Sequence, residues 1–206
     1  MIEKIIDLDK DLFEYLNSND SAIDFFWIFI TNQKVMFVMF CSVIFFILFK
    51  YERNNYQFTL FLIVLTFIST DLIHNHCFKE VFQRLRPCWD PEISEICRIL
   101  VDKGGKFGFV SGHAANFFGI MSMIFFCIPN LKLWIKYIFI IWGILICYSR
   151  IHVGKHYPLD VFFGAILGIA LAYLIYNIMS HFFFKKYIKK EINTATNTSN
   201  QGVALG

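Results

Sequence analysis

The sequence predicts an all-α membrane protein, a polytopic helix bundle with about five transmembrane helices, or six, preceded by N-terminal interfacial helices. Hydrophobic residues make up 57% of the 206 residues and charged residues only 17%, whereas soluble domains average about 45–50% and about 25%. The apolar residues are concentrated in segments whose lengths approach the thickness of a bilayer. The net charge of +3 is too small to indicate a nucleic-acid partner.

Residues 1–33 are predicted to form amphipathic or interfacial helices. Within residues 1–17, apolar side chains recur at helical spacing among seven charged ones, which indicates an amphipathic helix and not a cleavable signal peptide. Such a helix fits two places equally well, the membrane–water interface or the surface of the folded domain. Residues 22–30 are apolar but too short to cross a bilayer, so they are also assigned to the interface.

Residues 34–190 are predicted to form the transmembrane domain, and residues 191–206 a disordered polar tail. The expected spans cover residues 35–49, 57–78, 111–129, 133–149 and 158–179. All four prolines lie at or beyond the ends of these segments, as expected where helices begin or end. Small residues in the last segment, among them Gly164 and Gly168, favour close helix packing.

Lysine positions predict the topology. The lysines after the last segment place the C-terminus in the cytoplasm, so that loops 79–110 and 150–157 and the N-terminus face outward. These outer loops nevertheless contain eight cationic residues, against the positive-inside trend: Lys79, Arg84, Arg86, Arg98, Lys103, Lys106, Arg150 and Lys155. We expect a function other than topology to require these charges.

Two clusters in the outward-facing regions suggest anion chemistry. Lys79 and Arg86 would share one helix face two turns apart, and Pro87 is expected to push Arg86 out of the helix. This pair could clamp a phosphate, or it could be two interfacial cations at a helix end. Ser111 and Gly112 precede the third span and can offer N–H groups to an anion, with His113 beside them.

The third cluster is SRIHVGKHYPLD, residues 149–160. Arg150 can make two parallel hydrogen bonds to a phosphoryl group. His156 and Asp160 are one turn apart on the helix that Pro158 begins, so the carboxylate can orient the imidazole and stabilise its cationic form. His152 is expected to have a structural role. The clusters lack the closely arranged ligands of a zinc site, and no cofactor or metal is expected.

Three further polar residues, Asp71, His74 and His76, lie near the end of the second span. An ionisable group in an apolar segment is a functional hypothesis by default, so a metal site or proton path is one interpretation. A hydrogen-bonded structural role near the outer interface is the favoured one. Cys88 and Cys97 share an outer loop, where an oxidising periplasm would permit a disulfide, although their spacing does not establish its geometry.

The three clusters together resemble the signature of the type 2 phosphatidic acid phosphatase (PAP2) superfamily. The resemblance lies in Lys79-x6-Arg86-Pro87, Ser111-Gly112-His113 and Ser149-Arg150-x5-His156-x3-Asp160, in this order and spacing over residues 79–160. Val110 departs from the proline that the family often has before its Ser-Gly-His motif. This change removes a rigid loop residue but no catalytic atom.

The resemblance implies a role for each motif residue. His156 would be the nucleophile that forms a phosphohistidine, and Asp160 would orient it. His113 would protonate the leaving oxygen and then activate water. The phosphoryl oxygens would be bound by Lys79, Arg86, Arg150, the Ser111 hydroxyl and the Gly112 N–H, so the family's chemistry needs no metal.

The resemblance also implies a membrane lipid phosphate as the substrate. Undecaprenyl diphosphate ranks first, because outward-facing bacterial members of the family commonly recycle it for cell-wall synthesis. Phosphatidylglycerophosphate or phosphatidate is the next choice, and lipid A follows. The expected location is the bacterial inner membrane, with the site facing the periplasm. A non-enzymatic lipid binder or transporter would use the same cations but would not need the His156–Asp160 pair.

Overall fold

The computed structural model describes residues 2–18, 22–52 and 55–203, with side chains described up to Phe182. In chain order its helices are α1 (Ile2–Asn17), α2 (Asp24–Thr31), α3 (Gln33–Tyr51), α4 (Tyr56–Ile73), α5 (Glu80–Phe82), α6 (Gly112–Cys127), α7 (Leu133–His152) and α8 (Pro158–Val203). A π-helical turn, His74–Lys79, joins α4 to α5, and a 3-10 turn, Pro87–Trp89, follows α5. The described ranges contain no β-strand, and the predicted all-α class is confirmed.

Within the described ranges, four helical segments are long and apolar enough to cross a membrane: Gln33–Tyr51, Tyr56–Phe82, Leu133–His152 and Pro158–Phe182. The remaining predicted span corresponds to α6, which is apolar but only 16 residues long. Large apolar side chains are exposed on the outside of the bundle, for example Phe37 (68%) and Phe45 (74%) on α3. Because extended apolar surfaces are unfavourable in water, they indicate contact with lipid. The chain is therefore a membrane protein.

The packing of α6 against α8 positions two of the three sequence clusters. A Cβ atom at Gly168 would lie 2.2 Å from the Ala115 carbonyl oxygen, and one at Gly164 would lie 2.6 Å from that of Ser111. Glycine is therefore required for this helix separation. The close approach brings the first turns of both helices together, where Ser111 N–H donates to the Asp160 carbonyl at 2.9 Å.

Helix α1 lies on the surface of the folded domain, which is one of its two expected places. Phe13 is buried and meets the ring of Tyr157 edge-on, with centroids 5.3 Å apart. The Asn17 side chain donates to the His152 carbonyl at 2.8 Å. The exposed side of α1 has both charged side chains and apolar ones, for example Leu8. The N-terminal helices therefore contact the remainder of the bundle. The predicted domain boundary between residues 33 and 34 stays a prediction.

Helix α8 continues to Val203, through residues whose composition predicts a disordered tail. No proline follows Pro158, and Gly202 is the first glycine after Gly168. Extending an existing helix costs far less than nucleating a new one. The helix therefore continues past the expected end of the span at residue 179, because its sequence contains no breaker until its last residues.

Candidate active site

A polar cavity of about 810 Å³ lies at one end of the bundle. It is lined by six of the eight predicted site residues: Lys79, Arg86, Gly112, His113, Arg150 and His156. The other two, Ser111 and Asp160, are completely buried and do not line it. The three sequence clusters therefore converge on one place in the fold.

Lys79 and Arg86 reach this cavity by a different route from the expected one. Lys79 ends the π-helical turn, and the helix stops three residues later because Gln83 adopts a left-handed conformation with φ 47°. Arg86 is extended before Pro87, as the proline predicts. The expectation of one continuous helix face two turns long is therefore wrong, although both cations line the cavity.

Thr31, the last residue of α2, connects two candidate site residues. A ring nitrogen of His113 hydrogen bonds to the main chain of Thr31, while its buried Nε2 has no partner among the described residues. Arg150 is buried near the end of α7 and donates from Nη1 to the Thr31 hydroxyl. The N-terminal region thus helps to orient groups that the sequence motifs place much later in the chain.

Gly112 is required by the packing of His74 against the start of α6. A Cβ atom at Gly112 would lie only 2.4 Å from Nε2 of His74. His74 is buried, and its Nδ1 lies 2.8 Å from the Thr70 carbonyl oxygen, so the ring has a fixed position. His74 has the hydrogen bond that its favoured structural role predicts, but it also lines the cavity, as does Asp71.

His156 lines the cavity, although it is almost completely buried, and its Nδ1 lies 3.5 Å from Oδ2 of Asp160. This distance is long for a hydrogen bond, but such contacts in unliganded sites often shorten when substrate binds. Burial, together with the positive charges of Arg150 and Arg86, keeps the pKa of His156 well below its ordinary value of 6.5. The imidazole is therefore neutral near pH 7, which is the state that a nucleophile requires.

Lys155 is a cavity residue that the sequence motifs do not identify. Its side chain is buried, and Nζ donates to the Lys103 carbonyl at 2.6 Å. Burial and the charges of Arg86 and Arg150 lower the pKa of Lys155 to about 8. Two sequence signals could have indicated a location in the site: its place directly before His156, and its membership of the eight outward-facing cations.

Several other polar side chains of the sequence analysis lie outside the cavity. His76 is exposed, and the described part of the chain contains no group of three His, Cys, Asp or Glu residues suited to a metal ion. His152 is buried but hydrogen bonds to Asp24 at 2.8 Å, in agreement with a structural role. Cys88 and Cys97 are free thiols in this structure.

An apolar groove of about 1220 Å³ adjoins the polar cavity. Its walls come from α3, α4 and α6 and include aromatic side chains such as Phe37 and Phe67. The two cavities share five lining residues: Gln33, Lys34, Asp71, His113 and Asn116. The arrangement can hold an anionic group among cations and an attached apolar chain between helices.

Several proteins that are named as lipid phosphatases are similar to this chain. The chain is 32% identical over 182 residues to the Lipid A 4′-phosphatase of Bacteroides thetaiotaomicron, an alignment that covers 86% of this chain and 80% of that protein. It is 26% identical over 181 residues to the Lipid A 4′-phosphatase of Porphyromonas gingivalis, covering 86% and 75%. It is also 27% identical over 179 residues to the Undecaprenyl-diphosphatase of Sulfolobus acidocaldarius, covering 86% and 82%.

A solved structure and a family model extend the similarity to the fold and to the motif region. The crystal structure of Aquifex aeolicus LpxE matches with a TM-score of 0.59 and 25% identity, over 80% of this chain and 92% of that one. The model of the PAP2 superfamily matches residues 58–184, which is more than half of the chain and includes all three sequence clusters. The chain therefore belongs to the PAP2 superfamily, and it is a membrane phosphatase.

Proposed function

We propose that this phosphatase hydrolyses a phosphate monoester of lipid A, and so releases inorganic phosphate, through a phosphohistidine intermediate. The observation that carries the proposal is the junction between the cationic cavity and the apolar groove, at which His113 lines both. A lipid phosphate has the matching chemistry, because its phosphate needs charged donors and its acyl chains need apolar walls. A protein that only binds anionic lipids would not need a buried neutral histidine beside a carboxylate.

The proposed first step is a displacement at phosphorus. Nδ1 of His156 faces Asp160, which leaves Nε2 to attack. The bond between phosphorus and Nε2 forms while the bond between phosphorus and the lipid oxygen breaks. His113, in its protonated form, gives its Nε2 proton to the departing lipid oxygen.

The proposed second step releases inorganic phosphate. Neutral His113 takes a proton from water, and the resulting hydroxide attacks the phosphohistidine. The bond between phosphorus and nitrogen breaks, phosphate leaves and His156 returns to its neutral form, while His113 is protonated for the next cycle.

Cations that line the cavity are proposed to stabilise the charge of the transition state. Lys79, Arg86 and Arg150 would bind the phosphoryl oxygens, and the Gly112 N–H at the start of α6 would add a donor. These groups supply the positive charge that metal ions supply in other phosphatases, so we propose metal-independent catalysis. Ser111 is a weaker candidate than its motif predicts, because its side chain does not line the cavity, although its buried hydroxyl has no hydrogen-bond partner among the described residues.

Lipid A replaces undecaprenyl diphosphate, which the sequence analysis ranks first, as the preferred substrate. Two of the relatives, including the one at 32% identity, are named Lipid A 4′-phosphatase. The cavity also has uncharged polar lining at Asn32, Gln33 and Asn75. Amide side chains suit the hydroxyl groups of a sugar backbone, and undecaprenyl diphosphate has no sugar. By analogy with these relatives, we propose the 4′-phosphate as the group removed.

The proposed location is the bacterial inner membrane, with the cavity open to the periplasm. Helices α3 and α7 each have one end at the cavity, at Gln33 and Arg150. Their opposite ends contain Lys50 and Lys136. Because lysines concentrate on the cytoplasmic side of membrane proteins, these two lysines support our proposal that the cavity lies at the outer side.

A panel of purified lipids tests this function. Phosphate release would be measured in detergent with a chelator present, on lipid A, undecaprenyl diphosphate and phosphatidylglycerophosphate, and the lipid A product would be identified by mass spectrometry. We expect kcat/KM for lipid A to exceed the others by about tenfold or more. A higher value for undecaprenyl diphosphate would refute the substrate, and retained activity of His156→Ala would refute the site.

A further inference from the structure

A side chain of the N-terminal helix is built into the surroundings of the candidate nucleophile. Asp9 is a charged residue, yet it is buried, because it lies on the face of α1 that packs against the bundle, one turn before Phe13. Its Oδ1 accepts a hydrogen bond from Leu159 N–H at 2.9 Å, in the first turn of α8. Its Oδ2 accepts one from Nη2 of Arg84 at 2.5 Å. One carboxylate thus holds both the start of α8 and the Arg84 guanidinium.

Arg84 connects Asp9 to the carboxylate beside His156. Its Nη1 donates to Oδ1 of Asp160 at 2.9 Å, and its guanidinium carbon lies 4.3 Å from the centre of the Tyr157 ring. The other oxygen of Asp160, Oδ2, accepts from Tyr157 N–H at 3.0 Å and faces His156 Nδ1. Both oxygens of Asp160 therefore have fixed partners, so its carboxylate cannot rotate away from His156 without losing one of them.

The two carboxylates and the Arg84 guanidinium depend on one another for charge compensation. Asp9 and Asp160 are both buried carboxylates, and two such charges need a cation between them. Burial lowers the pKa of Arg84, but the carboxylates of Asp160 and Asp9 more than offset this and raise it above its ordinary value, so the cation persists at every relevant pH. Neither Asp9 nor Arg84 lines the cavity, so they can affect the reaction only through the residues that they contact, and of these Asp160 is the one that faces His156.

We infer that Asp9 and Arg84 are positioning residues for the His156–Asp160 pair, and that α1 thereby completes the active site from outside the three sequence motifs. The inference rests on the proposed function, because it assigns no chemistry of its own to these residues. It predicts a loss in kcat with little change in KM or in the inhibition constant of inorganic phosphate, since the phosphate-binding cations stay in place.

Substitution of Arg84 tests the inference most directly. In Arg84→Gln we expect kcat to fall about 10²-fold, as when a reacting group is misplaced by about 1 Å. The acid limb of the kcat profile should move to higher pH, because Asp160 loses the cation that stabilises its anion while His156, Arg86, Tyr157 and Asp9 still face it. Arg84→Lys keeps the charge but not the two-pronged geometry, and should restore part of kcat and most of the pH profile.

Asp9→Asn keeps the test decisive if Arg84→Gln does not fold. The amide has the same shape and can still accept from Leu159 N–H, so the fold should persist, while the ion pair with Arg84 is lost. We expect a decrease of about tenfold in kcat with an unchanged inhibition constant for phosphate. The matched control is Glu92→Gln. Lys10 follows Asp9 in α1, and its Nζ lies 2.5 Å from the exposed carboxylate of Glu92. Glu92→Gln removes this surface ion pair and should leave kcat unchanged.

The outcomes separate the inference from the function on which it rests. If folded Arg84→Gln, or Asp9→Asn where Arg84→Gln does not fold, keeps the parental kcat and pH profile while His156→Ala is inactive, the positioning role is wrong and the function stands. If His156→Ala retains activity, the proposed function fails, whatever the α1 variants do. A loss in kcat that Glu92→Gln shares would mean that α1 is needed only for folding, and would also overturn the positioning role.

Discussion

His152 and His156 are four residues apart, both are buried and each lies near a carboxylate, yet their surroundings differ. His152 hydrogen bonds to Asp24 at 2.8 Å, and its ring packs beside Trp27, with no contact with the cavity. His156 lies at the longer distance of 3.5 Å from Asp160 and lines the cavity among its cations. The carboxylate is therefore not what distinguishes a candidate nucleophile. Access to the cavity and the surrounding positive charge distinguish it.

The largest expected effect separates the two histidines. His156→Gln should reduce kcat by about 10⁴-fold or more, because no other group could form the covalent intermediate. His152→Gln should keep kcat within about threefold and instead lower the unfolding temperature, since it weakens the partly buried hydrogen bond to Asp24. Phosphate release and thermal unfolding in the same detergent measure both effects. A large loss of kcat in stable His152→Gln would mean that the distinction drawn from the surroundings is wrong.

His74 extends the comparison to a third buried histidine, one that affects the site through its size. Gly112→Ala should reduce kcat/KM by about 10²-fold, because the new methyl group occupies the position of the His74 ring and displaces the start of α6. The matched control is Gly105→Ala in the cavity loop, where a Cβ would meet nothing within 4 Å, and its kcat/KM should not change.

The double variant His74→Ala with Gly112→Ala provides the decisive measurement for this contact. Removal of the ring creates room for the methyl group, so kcat/KM should recover at least in part relative to Gly112→Ala alone. If the double variant is as impaired as Gly112→Ala, the requirement for glycine comes from the phosphate-binding main chain and not from packing against His74.

The helices and the motif residues were predictable from the sequence because both depend on local patterns. Long apolar segments predict the membrane-spanning helices, and Pro158 predicts the start of α8. Residues at fixed spacing identify the three clusters. The position of Lys79 relative to Arg86 was not predictable in this way. It depends on a π-helical turn and on a left-handed Gln83, neither of which has a strong sequence signal.

Contributions from distant parts of the chain were also beyond local patterns. Thr31 and Asp9 reach the site only because α1 and α2 fold back on the end of the bundle. An amphipathic pattern identifies such a helix but not the surface on which it lies. Lys155 is similar, since only the packed structure distinguishes a buried cavity lysine from an ordinary loop cation.

The smallest expected effect concerns Lys155, which precedes His156 and follows His152 by three residues. Because its pKa is lowered to about 8, its ammonium is charged at pH 7 and is lost as the pH rises through 8. If that charge attracts the substrate phosphate, KM should rise modestly between about pH 7 and pH 9. Lys155→Arg stays charged over this range, so its KM should rise less. The ionisation of the substrate and of the other cations is common to both proteins, so the difference between the two profiles isolates Lys155, and identical profiles would contradict its role in phosphate binding.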